Sequence, residues 1–211
     1  MTIRTYLSII TCLITLNSYS QINIGVKAGL NYSNNVEVTD LPRPDSIKLN
    51  KYQYRIGPSI GLYSTFSLND RIVFTPELIY SLKGYKFDAT SYSGKGTLNL
   101  HYLNIPLLIG FQFNKLTMSI GPEFGYLIAA ISKFDSQTKN NSFYNKKIDF
   151  GLLADINLKV TKKIAISARY IHGFTSVGQV IIYRPLDYWP EEFTSKFQNR
   201  SYQISILYSL K

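Results

Sequence analysis

Apolar side chains recur at every second position through eight stretches of this chain. That spacing is the repeat of a β-strand, whose successive side chains point to opposite faces, and it does not fit a helix. The first stretch, Ile22 to Tyr32, sets Ile22, Ile24, Val26, Ala28 and Leu30 on one face and Asn23, Gly25, Lys27, Gly29 and Asn31 on the other. Lys147 to Val160 is as regular, with Ile148, Phe150, Leu152, Ala154, Ile156 and Leu158 opposed to Asp149, Gly151, Asp155, Asn157 and Lys159. The same period predicts strands over Tyr52–Phe66, Ile72–Phe87, Leu98–Phe113, Leu116–Ile131, Ile164–Phe174 and Arg200–Leu210.

The connections carry a second regularity. Residues 33–51, 88–97, 132–146 and 175–199 are long and polar, while Asn69-Asp70, Asn114-Lys115 and Thr161-Lys162-Lys163 are tight turns. Long and short therefore alternate along the chain. In an antiparallel meander this puts every short turn, and both chain ends, on one side. Outer-membrane barrels are built this way, with short periplasmic turns and long external loops. The reading is all-β: an eight-stranded antiparallel up-and-down transmembrane β-barrel with a polar lumen. A soluble exported β-barrel, using the apolar face as its core, is the alternative; it has no reason to keep the alternation.

The polar faces hold full charges. Lys27, Arg55, Lys83, Lys159 and Arg169 would meet Glu77, Glu123, Asp149 and Asp155 inside the barrel. An eight-stranded barrel is just wide enough to be filled by side chains, so these groups are expected to pair as a structural or gating network. The apolar faces end in aromatic residues. Phe66, Phe74, Phe111 and Tyr208 fall near the short turns, and Tyr32, Tyr54, Tyr126, Phe150 and Tyr202 near the loops, as two interfacial girdles would. A mean hydropathy near zero is what an alternating membrane strand averages to.

Residues 1–20 read as a secretory signal peptide, with Arg4 before an apolar core from Leu7 to Leu16 and small residues at Ser18 and Ser20. Cleavage after Ser20 would leave residues 21–211 as the barrel domain. Cys12, the single cysteine, lies in that leader, so the barrel domain would have no disulfide framework. The formal net charge of +10 is spread along the chain without a basic run. That argues against a nucleic-acid partner and suits outer-membrane lipids and the phosphates of lipopolysaccharide.

Gly25-Val26-Lys27-Ala28-Gly29-Leu30-Asn31, Tyr80-Ser81-Leu82-Lys83-Gly84, Tyr102-Leu103-Asn104-Ile105-Pro106-Leu107-Leu108, Gly121-Pro122-Glu123-Phe124-Gly125-Tyr126 and Asp149-Phe150-Gly151-Leu152 together resemble the PorT-type outer-membrane β-barrel family. Asn104 stands where that family commonly has an acidic residue or Gln. The resemblance implies an integral outer-membrane protein, and the family's namesake is associated with protein secretion and gliding.

Little points to catalysis. Small barrels that hydrolyse lipids use a His with a nearby Ser, but Leu103 and Phe174 occupy the positions two residues beyond His101 and His172. No His/Cys cluster suggests a metal, and no motif suggests a cofactor. The strongest contact candidate is the 175–199 loop, where Tyr183, Tyr188, Trp189 and Phe193 make an aromatic, proline-containing patch suited to an envelope or secretion-system protein. The expected role is structural or interaction-based, as an accessory to secretion or envelope assembly. A narrow channel is the main alternative, with a lipid-modifying enzyme behind it.

Overall fold

The structure, a computed structural model, describes residues 22–39, 53–87, 95–134, 137–140, 146–184 and 191–210. Nine strands are described along the chain: β1 (Ile22–Thr39), β2 (Gln53–Ser67), β3 (Ile72–Phe87), β4 (Gly96–Phe113), β5 (Leu116–Phe134), β6 (Gln137–Asn140), β7 (Ile148–Lys159), β8 (Ile164–Arg184) and β9 (Glu191–Ser209). Each long strand pairs antiparallel with its neighbours in the order β4-β3-β2-β1-β9-β8-β7-β5, and β4 also pairs with β5. The ring is therefore closed, with eight strands in its wall. The β1–β9 ladder joins the two ends of the chain from Gly25↔Ser209 to Thr39↔Ser195. The four-residue β6 lies outside the ring and pairs with the outer end of β5.

The apolar faces point outward. Leu30, Ile56, Ile60, Ile120, Ile148 and Ile204 are each more than half exposed, while Lys27, Glu77, Asp155 and Arg169 are at most 5% exposed. In water this is an inverted protein. In lipid it is the expected arrangement, because hydrocarbon solvates the outer face and the charges retreat to the lumen. Aromatic contacts tie the outer face together near the loop ends, where Tyr32 stacks on Tyr54 at 4.3 Å and Phe124 meets Phe150 at 5.3 Å.

Each short turn is held by a local device. The Asn69 side-chain oxygen accepts from the backbone of Arg71 (2.9 Å) and Ile72 (2.7 Å). Thr161 Oγ1 accepts from Lys163 (3.2 Å) and Ile164 (3.0 Å) in the same way. Asn114 takes a left-handed backbone (φ 51°), which asparagine tolerates. Gly84 has φ 129°, and a Cβ there would lie 2.1 Å from the Leu98 carbonyl oxygen. It sits beside a break in the β2–β3 register between Tyr54 and Ser59, and its carbonyl accepts from Ser33 Oγ at 3.1 Å.

Several expected boundaries move outward. The chain is still strand over 33–39, 132–134, 175–184 and 191–199, and β6 falls within the expected 132–146 loop. The 175–199 segment is thus largely a β-hairpin rather than a loop, paired from Ser176↔Gln198 to Arg184↔Glu191 with register shifts at its base. Above the lipid no medium demands alternation, so the backbone ladder continues after the apolar period has stopped.

The lumen also departs from the expected uniform polarity. Tyr85, Phe87, Leu98, Leu100, Tyr102, Leu127, Ala130 and Phe197 form an apolar cluster toward the loop end. Leu108, Leu153 and Ile171 form a second one deeper in the barrel. The cause is β4, whose inward positions include Leu98, Leu100, Tyr102 and Leu108. This strand is apolar on both faces.

Candidate functional site

The charged lumen residues separate into two groups. The first draws on β1, β3, β7 and β8. Arg169 grips Glu77 with both terminal nitrogens, Nη1 to Oε2 and Nη2 to Oε1, each at 2.8 Å. Its Nε donates to Asp155 Oδ1 at 2.9 Å. Register alone brings Asp155 and Arg169 together, since they are direct partners on β7 and β8. Lys27 Nζ lies 3.3 Å from Glu77 and 3.8 Å from Asp155, and Ser167 Oγ donates to Asp155 at 2.7 Å. Asn157 donates to the other Asp155 oxygen. Two cations face two anions, so the group is formally neutral, and the fork of Arg169 is the geometry that best offsets desolvation of a carboxylate.

The second group lies toward the loop end. Lys83 Nζ donates to Glu123 Oε1 at 2.7 Å and sits 5.3 Å from the centroid of the Tyr102 ring. Asn199 Nδ2 donates to Asp149 Oδ2 at 2.6 Å and to the Tyr102 hydroxyl at 3.3 Å. Leu153 lies between Asp149 and Asp155 on the inward face of β7, and with Leu108 and Ile171 it forms the smaller apolar cluster. Below the first group a cavity of about 100 Å³ is lined by Glu77, Tyr63, Thr75, Gln112 and Asn157, on the short-turn side.

Seven of the nine expected network residues are therefore in the two groups: Lys27, Glu77, Asp155 and Arg169 in one, Lys83, Glu123 and Asp149 in the other. Arg55 and Lys159 are not. Lys159 is exposed at the short-turn end and reaches Gln112 Oε1 at 3.4 Å. Arg55 lies at the break in the β2–β3 ladder, and it lines a groove with the outward-facing Ile56 and with His101. The bulge uncouples its side chain from the inward alternation.

Sequence reasoning missed the neutral partners Ser167, Asn157, Asn199 and Tyr102. Ser167, Asn157 and Tyr102 occupy inward positions of the period-two pattern, so attention to that face beyond its charges would have found them, whereas Asn199 falls in the expected 175–199 loop, where no alternation marks it. The two histidines face outward in tyrosine pairs: Tyr80 hydroxyl to His101 Nδ1 at 2.7 Å, and Tyr170 hydroxyl to His172 Nδ1 at 3.2 Å. Among the described residues no group of three or more His, Cys, Asp or Glu could hold a metal. Of the contact candidates, Tyr183 and Phe193 occupy neighbouring rungs of the β8–β9 hairpin, opposite Glu192 and Ile182. Tyr188 and Trp189 lie outside the described residues.

Residues 16–179 match the family model described as outer membrane protein beta-barrel domain. Among solved structures, the chain is similar to Neisserial surface protein A, at 13% identity and TM-score 0.54 over 89% of this chain and 97% of that one. It is also similar to OprG from Pseudomonas aeruginosa, at 13% identity and TM-score 0.49 over 89% and 95%. Ail of Yersinia pestis is similar at 13% identity and TM-score 0.43 over 89% and 98%. No curated protein matches the chain.

Removing one member of the Arg169 group strands its partners. Arg169→Ala leaves Glu77 and Asp155 with Lys27 alone and should lower stability by about 3–5 kcal/mol. Urea unfolding of the barrel in detergent micelles measures this. A loss no greater than that of an exposed change such as Lys162→Ala would remove the clamp from its assigned role.

Proposed function

This chain belongs to the outer membrane protein beta-barrel domain family, and we propose that it serves in the outer membrane as a closed, non-conducting barrel with a structural or interaction role. The observation that carries this is the filling of the lumen. The lumen holds the Arg169 group, the cluster of Leu108, Leu153 and Ile171, the Lys83 group and the cluster around Tyr102, with Leu108 also bordering the short-turn cavity. An ion would have to separate a buried bidentate pair and pass apolar side chains that offer it no ligands, and both steps oppose conduction. One feature favours the second reading, a gated narrow channel: the cavity on the short-turn side ends at Glu77, a member of the charge group. Planar-bilayer recording separates the two. The closed reading expects no unitary conductance steps from the folded protein, and reproducible steps would replace it with the channel.

The finer assignments belong to the same reading. Membership of the PorT-type branch is supported by the segments around Gly25, Tyr80, Tyr102 and Gly121, and suggests service to protein secretion or envelope assembly. No catalytic step is part of it. The ring nitrogens of His101 and His172 that bond to Tyr80 and Tyr170 sit on the outward face, away from the buried carboxylates. A leader cut after Ser20 would make Gln21 the first residue of the mature protein. The intact mass of protein isolated from outer membranes should agree, and a mass that includes residues 1–20 would contradict it.

The partner surface in this reading is the outer part of the β8–β9 hairpin, with Tyr183 and Phe193, and the segment of sequence that joins the two strands, with Tyr188 and Trp189. A photo-crosslinker in place of Trp189 should trap one discrete envelope protein in cells. If removing residues 183–193 leaves the pattern of crosslinked species the same, the hairpin is not the interface.

A further inference from the structure

Two lysines alternate with two threonines across neighbouring strands near the loop end of the barrel. Lys86 on β3 pairs with Thr97 on β4, Thr97 with Lys133 on β5, and Lys133 with Thr138 on β6. Direct partners in a ladder have Cβ atoms about 5 Å apart on the same face. Two exposed lysines therefore flank one threonine, with about 10 Å between their Cβ atoms. Like charges held this close repel unless an anion lies between them.

These residues form the upper wall of a groove of about 550 Å³ whose described lining contains Arg55 and His101 but no carboxylate. Among the described residues, two buried polar atoms in that lining have no hydrogen-bond partner, the donor Arg55 Nη1 and the acceptor Asn99 Oδ1, and only the first calls for an anion. A buried guanidinium nitrogen without an acceptor is costly, and an anion would satisfy it. The lower wall is different. Ile56, Leu82 and Ile131 make it apolar, and Leu82 pairs directly with His101. The Lys86–Thr97 rung lies four residues beyond the Leu82–His101 rung, about 13 Å along the strand. His101 itself bonds to Tyr80. The groove thus grades from hydrocarbon-facing to cationic across the depth where a lipid passes from acyl chain to headgroup.

We propose that this groove is a binding site for a phosphorylated amphiphile of the outer leaflet. Its phosphate would lie among Lys86, Lys133 and Arg55, and its acyl chain along Ile56, Leu82 and Ile131. The site rests on the outer-membrane placement of the barrel and does not depend on whether the lumen conducts or on the β8–β9 hairpin. It also explains why Arg55 is absent from the lumen network: its partner is outside the barrel.

Binding of lipid A, phosphorylated and after enzymatic removal of its phosphates, to the folded full-length protein in detergent is the test, read by native mass spectrometry. The wild type should prefer the phosphorylated form by about tenfold. Lys86→Gln/Lys133→Gln should abolish that preference, and Arg55→Gln should reduce it. Lys162→Gln/Lys163→Gln, at the opposite end of the barrel, should leave it intact. Both lysines of the first pair are exposed, so that variant should still shift on a gel when boiled, which separates lost binding from lost folding. An equal preference in wild type and Lys86→Gln/Lys133→Gln overturns the site. Equal binding of the two lipid A forms by the wild type also does. Full displacement of lipid A by inorganic phosphate would assign the cations to a free anion and overturn the lipid.

Discussion

Hydrocarbon offers a polypeptide no hydrogen bonds, and the rest of this structure depends on that. Every backbone N–H and C=O in the membrane must find a partner in the chain. A sheet meets the requirement only when its first and last strands meet. Here β1 and β9 do so over fifteen rungs, from Gly25↔Ser209 to Thr39↔Ser195, and the wall has no free edge at lipid depth. Once the ring is closed, the two faces of every strand have different solvents. Ile24, Val26 and Leu30 face lipid, while Lys27 and Asn31 face the lumen. The placement of the charges results from closure rather than causing it.

The wall was readable for the same reason. Two solvents on two faces impose a period of two, and β3 could be bounded at Ile72 and Phe87 from alternation alone. Where one solvent lies on both sides the signal disappears. The outer ends of β1, β5, β8 and β9 are still hydrogen-bonded ladder, yet Ser176, Gln198 and Asn199 read as loop because water selects for neither face. The lumen was half readable. The acids and bases on inward positions announced themselves, and Asp155 and Arg169 could have been paired from register. Arg55 could not have been assigned, because it sits in the break of the β2–β3 ladder between Tyr54 and Ser59, which alternation along the strand does not reveal. The apolar clusters were hidden in β4, whose outward face of Leu103, Ile105, Leu107, Ile109 and Phe111 could be read from the period, while Leu98, Leu100 and Leu108 make parts of its lumen face apolar as well.

Filling the lumen in layers accounts for features that a wholly polar interior would leave unexplained. A bundle of charges of this size in a narrow barrel needs either water or a full set of partners. The Arg169 group is complete within the protein, with Ser167 and Asn157 taking the spare lone pairs of Asp155. The Lys83 group has one cation for two acids, and it leans on the neutral Asn199 and on the ring of Tyr102. Leu153 and Ile171 lie between the two groups on β7 and β8, while on β1 and β9 the same interval is polar, with Asn31, Ser33 and Ser201.

The members of the Arg169 group are far apart in the chain: Lys27 is on β1, Glu77 on β3, Asp155 on β7 and Arg169 on β8. No single hairpin contains them all. While the sheet is open, the first four strands would carry Lys27 and Glu77 into the bilayer and the last four would carry Asp155 and Arg169, each half with unlike charges on separate strands. The halves become a complete fork only when the cylinder shuts. Crossing the membrane and closing the wall are thereby bound into one event, since a partly inserted sheet would hold its charges against hydrocarbon without their full set of partners. The clamp in the finished barrel is thus also a constraint on how the barrel is made: assembly favours delivery of a nearly closed sheet over threading one hairpin at a time.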